Sequence, residues 1–127
     1  MAMLGVVVSM AVCMVVGGLW YGPLFGAVFL AHAFPMGSRP PQMERAHFAV
    51  LVLGHAGTSC LLVFLLSQLG ASHPPAAAFW ALVLSAFDTA INLPHSFFEN
   101  RPQALFWLHR GYHLVCLVFA SVLCSLL

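Results

Sequence analysis

Four long apolar stretches, separated by short polar or Pro/Gly-rich segments, set the pattern of this chain. A helix that crosses a bilayer needs about 20 mostly apolar residues at roughly 1.5 Å of rise each. The stretches at about 3–30, 44–69, 75–93 and 102–126 meet that requirement. The first carries no charge but is interrupted by Gly17-Gly18 and Gly22-Pro23. Proline has no amide proton and its ring crowds the preceding turn, so a kink is expected near Tyr21-Gly22. Trp20 and Tyr21 beside it either mark a membrane interface or pack inward. Glu44 opens the second span, where a negative charge suits the helix dipole. Pro75 suits the first turn of the third, and Pro94 is expected to stop it. Connections this short predict consecutive helices that pack as antiparallel neighbours. The expected fold is all-α: an integral membrane four-helix up-down bundle with a Gly/Pro-kinked first helix, a single transmembrane domain over residues 1–127.

Composition sharpens this. Only 6% of residues are charged, against roughly 25% in soluble domains, and the mean hydropathy is +1.00. Seven ionised side chains are too few to solvate a globular surface, so lipid is the expected surrounding. A net charge of +1 without any basic run excludes an electrostatic case for nucleic-acid binding. Cys13, Cys60, Cys116 and Cys124 lie in apolar runs without zinc-ligand spacing and read as small buried hydrophobes. Ala31-His32-Ala33 matches a signal-cleavage pattern, but no basic residue precedes the apolar stretch, which is also longer than a signal core. The first helix is expected to be retained.

Arginine placement predicts an orientation. Arg39 and Arg45 flank the first connection and Arg101 lies in the third, on the same side of a four-span bundle. The second connection and both termini have no Lys or Arg. By the positive-inside rule the arginine side faces cytoplasm or matrix, and both termini face away. A bacterial or mitochondrial inner membrane fits this.

Two segments resemble a known family. Gly18-Leu19-Trp20-Tyr21-Gly22-Pro23-Leu24-Phe25-Gly26 resembles the first-helix signature of the DUF1761 family of small membrane proteins. Phe98-Glu99-Asn100-Arg101-Pro102, with Leu105-Phe106 and Gly111-Tyr112-His113-Leu114-Val115 after it, resembles its last-helix signature. The resemblance covers nearly the whole chain; Arg110 departs from it, standing where a small residue is usual. It implies four spans and no established activity.

Asp88 is the most informative single residue. Measured from Pro94 it lies about 8–9 Å inside its span, and an acid at depth costs about 2–3 kcal/mol or more unless paired. Ala81, Ser85, Asp88 and Asn92 share one helix face, a small and polar stripe that belongs in the bundle interior. Arg110, about 12 Å into the fourth span, reaches nearly the same depth, so an Asp88–Arg110 ion pair or one-water bridge is predicted. Such a pair either pins two helices together, the simpler reading, or lines a conducting path.

His109 and His113 stand one turn apart, a spacing at which two imidazoles share a metal, and His55 falls near the depth of His113. A metal or haem is conceivable there, but no second carboxylate completes a set, and histidines on polar helix faces more often hydrogen-bond a neighbour. No metal or cofactor is therefore expected. His32, His47, His73 and His95 fall at helix ends or loops and read as solvated.

Gly18, Gly22 and Gly26 recur every fourth residue, the spacing that lets helix backbones approach in lipid. They are expected to pack against Gly54 and Thr58 within the monomer, or against another subunit. The Gly22-Pro23 break would open a backbone site only if it lay deeper in the span. No catalytic constellation, carboxylate pair or phosphate loop appears, so no enzyme is expected. Capping and interface anchoring account for Glu99 and Arg101.

Two functions remain. One is a non-catalytic membrane component, either a homo-oligomer or an accessory subunit of a larger complex, with lipid and other membrane subunits as partners. The other is a small oligomeric transporter or channel with a polar path around Asp88, Arg110, His55 and His113. No inverted repeat is evident.

Overall fold

The computed structural model describes residues 2–35, 42 and 44–127. The chain is all-helical there. The first span is helix α1 (Ala2–Leu19), a wide turn over Trp20–Leu24 and a short helix α2 (Gly26–Ala33). Helices α3 (Arg45–Gln68), α4 (Pro74–Phe98) and α5 (Gln103–Ser125) follow. Four of these segments are long and apolar enough to cross a membrane, the property of a membrane protein. Arg39 lies outside the described residues.

The wide turn is the expected kink. Gly22 leaves helical geometry (φ −100°, ψ −105°), and the N–H of Phe25 reaches back five residues to the Trp20 carbonyl at 2.8 Å. Pro23 has no N–H to continue the regular ladder, so the chain takes the longer bond. The bulge determines the glycine face. Gly18 and Gly22 no longer share a register with Gly26, and a Cβ on either would meet nothing within 4 Å. The expected packing of Gly18, Gly22 and Gly26 against Gly54 and Thr58 is therefore corrected. Gly26 is needed for a different reason: a Cβ there would lie 2.7 Å from the Tyr21 carbonyl oxygen, inside its own kink.

Glu44 caps α3 and its N–H donates to Nδ1 of His47 at 3.2 Å. The turn into α4 rests on Gly70 (φ +63°), a left-handed conformation that suits glycine, and on an Ala71 N–H that reaches Leu66 O at 3.0 Å. Pro94 does not end α4. The helix runs through it to Phe98 and stops at Asn100 (φ +51°), with Arg101 N–H bonded to Ser96 O at 3.2 Å. Proline removes one hydrogen bond, but in apolar surroundings freeing further backbone groups costs more than keeping the remaining ladder. Asp88 consequently lies ten residues from the end of its helix, at about 15 Å depth rather than 8–9 Å.

Helix α5 is the centre. It buries Phe106, Tyr112, Cys116 and Ala120, packing against α4 on one side and α1 on the other, while α3 lies mainly on α1. Helices α3 and α4 meet around their turn, where Leu62, Leu66, Ala71, Ala77 and Ala120 form one cluster, and part beyond it. Sequence neighbours were expected to be packed neighbours, and for this pair they are not. The small face of α4 (Ala77, Ala81, Ser85) is buried, which draws α4 toward α5 and leaves a cleft beside α3.

Candidate functional site

The cleft has α1 and α5 as its floor, α3 as one wall and Asp88 of α4 at its rim, and encloses about 480 Å³. His55 is ten residues past the start of α3, Asp88 ten before the end of α4, and His113 ten past the start of α5. All three helix ends lie on the same side of the bundle, so the three groups share one level about 15 Å deep. That is about half the ~30 Å hydrocarbon thickness of a bilayer.

Asp88 holds the cluster together. Its Oδ2 accepts from Nη1 of Arg110 and from the Nδ1–H of His113 at 3.3 Å. Its Oδ1 accepts from the Asn92 amide at 2.8 Å, which also reaches the Asp88 carbonyl. The sequence-predicted pair is thus in direct contact, and Asn92 and His113 join it. The Arg110 guanidinium lies over the Phe106 ring, 5.6 Å from its centroid, an added attraction for a cation away from water. Arg110 is largely enclosed, with 15% of its side chain exposed, whereas Asp88 keeps 38% and His113 45%. Ser85 is buried one turn before Asp88 on α4. His55 faces the cleft from α3 and has no hydrogen-bond partner among the described residues.

His109 is not part of this cluster. Its Nδ1 shares a hydrogen bond with the Tyr21 hydroxyl at 2.5 Å, so the two imidazoles one turn apart serve different partners. Among the described residues no three His, Cys, Asp or Glu side chains gather as metal ligands. The Tyr21 contact belongs to a seam between the kink and α5. Trp20 Nε1–H donates to Leu108 O at 3.1 Å and its ring lies over Gly111, where a Cβ would come within 3.0 Å. Tyr112 donates to Cys13 O at 3.0 Å, with Gly17 against its hydroxyl. The close approaches of this bundle are made at Gly5, Gly17 and Gly111, not at the regularly spaced glycines. Both tyrosines and Trp20 turn inward, and their contacts unite the two segments that carry the sequence signatures. Cys13 and Cys116 are buried in this seam; Cys60, expected buried, is exposed on α3.

Sequence reasoning missed three residues. Ser9, Ser59 and Ser121 are almost wholly buried, and among the described residues their hydroxyls have no hydrogen-bond partner. Nothing in their spacing singles them out in the sequence; burial is what reveals them. At the loop end, Glu99 and Arg101 form an exposed ion pair at 2.5 Å, and Gln103 donates to Ser96 Oγ at 2.9 Å, fastening α4 to α5. Exposed pairs of this kind contribute little to stability.

The family model DUF1761, a protein family of unknown function, matches residues 4–125, and the chain belongs to that family. No curated protein and no solved structure matches the chain.

Proposed function

We propose that the chain is a non-catalytic membrane component that works as part of an assembly, as a homo-oligomer or as an accessory subunit of a larger complex. The observation that carries this is the incomplete enclosure of Asp88 and His113, each about 15 Å from the end of an apolar, membrane-long helix. An ionised carboxylate open to hydrocarbon is costly, and a helix from another subunit seated between α3 and α4 would cover it. The exposed glycines of α1 and α3 leave room for close approach. Blue-native electrophoresis and in-membrane crosslinking from cysteines placed along the cleft-facing side of α3 test the reading. Oligomer bands or a defined co-purifying subunit are expected; migration as a lone small monomer without crosslinks refutes it.

A second reading, a small oligomeric transporter or channel, is favoured by a separate observation. A second cleft of about 250 Å³ runs from the arginine-bearing loop to Asn92 and Arg110, so the ion pair stands between two openings. Flux in proteoliposomes that Asp88→Asn leaves unchanged would remove this path. For orientation, Arg45 and Arg101 support a cytoplasmic or matrix loop side with both termini opposite, in a bacterial or mitochondrial inner membrane. Arg110, held by Asp88, does not count toward this.

A further inference from the structure

The three solitary serines extend the polar groups of the cleft toward the other face of the bundle. Four other Ser and Thr hydroxyls in these helices bond a carbonyl one turn back: Thr58 to Gly54, Ser67 to Phe64, Thr89 to Ser85, Ser125 to Val122. Ser9, Ser59 and Ser121 do not, although a buried unpaired hydroxyl costs on the order of 1–3 kcal/mol. They also flank one contact between three helices. The contact of Gly5 with Val63 and Cys124 joins α1, α3 and α5, and the serines lie about one turn from it along each helix. Ser9 lines the same cleft as His55, Asp88 and His113. On the far side of the contact, Gly5, Val63 and Cys124 line a third cleft of about 460 Å³, which opens beside Ser67, Ser72 and Ser125.

We infer that these groups form a proton path through one copy of the chain: loop-side cleft, Asp88, His113 and His55, the Ser9–Ser59–Ser121 layer, and the cleft at the termini. This rests on the second reading above and names its substrate. Each group in the series binds or relays a proton: a carboxylate, imidazoles, hydroxyls. The Arg110 guanidinium beside the carboxylate places a fixed positive charge where a metal cation would have to pass. The serine layer, closed in by the Gly5–Val63–Cys124 contact, suits hopping better than passage of a hydrated ion.

A proton from the loop-side cleft is taken by the Asp88 carboxylate, in competition with Arg110. Protonated Asp88 becomes the donor and passes the proton to Nδ1 of His113 in its Nε2–H tautomer. The ring releases the Nε2 proton into the cleft, and the product is the Nδ1–H tautomer that donates back to the Asp88 carboxylate. Asp88 is again an ion, and His113 recovers its starting tautomer by a ring-nitrogen exchange of the same proton count. No electron moves and no heavy-atom bond changes.

The test uses the full chain in phosphatidylethanolamine/phosphatidylglycerol vesicles with an internal pH dye and a potassium diffusion potential. Proton flux above empty vesicles is expected, falling at least tenfold in Asp88→Asn and several-fold in the Ser9→Ala/Ser121→Ala double variant. The serine variant removes only unpaired hydroxyls, so its thermal unfolding should be unchanged or raised, which separates slow flux from misfolding. Proton flux equal to that of empty vesicles, or unaffected by both variants, overturns the inference. Uptake of potassium and of small neutral solutes is measured in parallel. Solute uptake without proton flux sinks the proton assignment and keeps the transport reading; absence of both sinks the two together.

Discussion

The seam between α1 and α5 and the cleft between α3 and α4 are built from similar residue types to opposite effect. In the seam Trp20, Tyr21 and Tyr112 each place a polar atom on a partner across the interface, and glycine lets the rings close down. In the cleft a carboxylate and two imidazoles share one level, yet only Asp88 and His113 touch, and His55 faces open space. Buried polar groups that are satisfied make one arrangement rigid and specific; groups left part-satisfied and part-exposed are where a partner or a transported species has something to gain. The seam therefore reads as scaffold and the cleft as the place of action.

The largest effect should come from the one pair that belongs to both categories. Arg110→Ala strips the charge partner from Asp88, and removing one member of a buried pair costs about 3–5 kcal/mol; the partial exposure of Asp88 places this case toward the lower end. Thermal unfolding in mild detergent should show it. Adding Asp88→Asn to Arg110→Ala should restore most of the loss, because no uncompensated charge then remains. If the double variant is as unstable as the single one, the two side chains are not coupled.

Next comes the seam. Gly111→Leu drives a side chain into Trp20 and should destabilise by about 1–3 kcal/mol, the usual range for overpacking. The same change at Gly18, with open space around it, should leave the unfolding of the monomer in place. Equal losses at the two positions would erase the distinction between the α1–α5 contact and the regularly spaced glycines. Tyr112→Phe removes a single bond to the Cys13 carbonyl, worth about 0.5–1.5 kcal/mol, and should lower the midpoint slightly.

The smallest effect on stability belongs to His55→Ala. A side chain at an open cleft without a partner should change unfolding by no more than about 0.5 kcal/mol. A larger loss would mean that α3 is tied to the rest of the bundle through His55, and the cleft would then be closed rather than available.

Which charged groups lie inside the spans was legible from the residues alone, because a helix advances about 1.5 Å per residue whatever surrounds it. The depth of Asp88 was not, since it was counted from Pro94 and the helix runs on to Phe98. That Asp88 and Arg110 meet was legible, as was the kink at Gly22-Pro23, where proline lacks the proton that a regular turn uses. Rotation about the helix axis and choice of neighbour were not legible. A bulge at the kink takes Gly18, Gly22 and Gly26 off a common face, and nothing in their spacing reports it. Pro94 looked like a stop, but whether a helix continues past a proline depends on what surrounds the backbone groups that would be freed. His109 and His113 carry the same side chain one turn apart, and only the position of Tyr21 on α1 and Asp88 on α4 separates their roles. The sequence by itself thus determined four membrane-long apolar helices and which charged groups lie within them. The tertiary structure decided which groups touch, which glycines are crowded and which hydroxyls are stranded, since those depend on the angle and partner of each helix, and these follow from packing between segments distant in the chain.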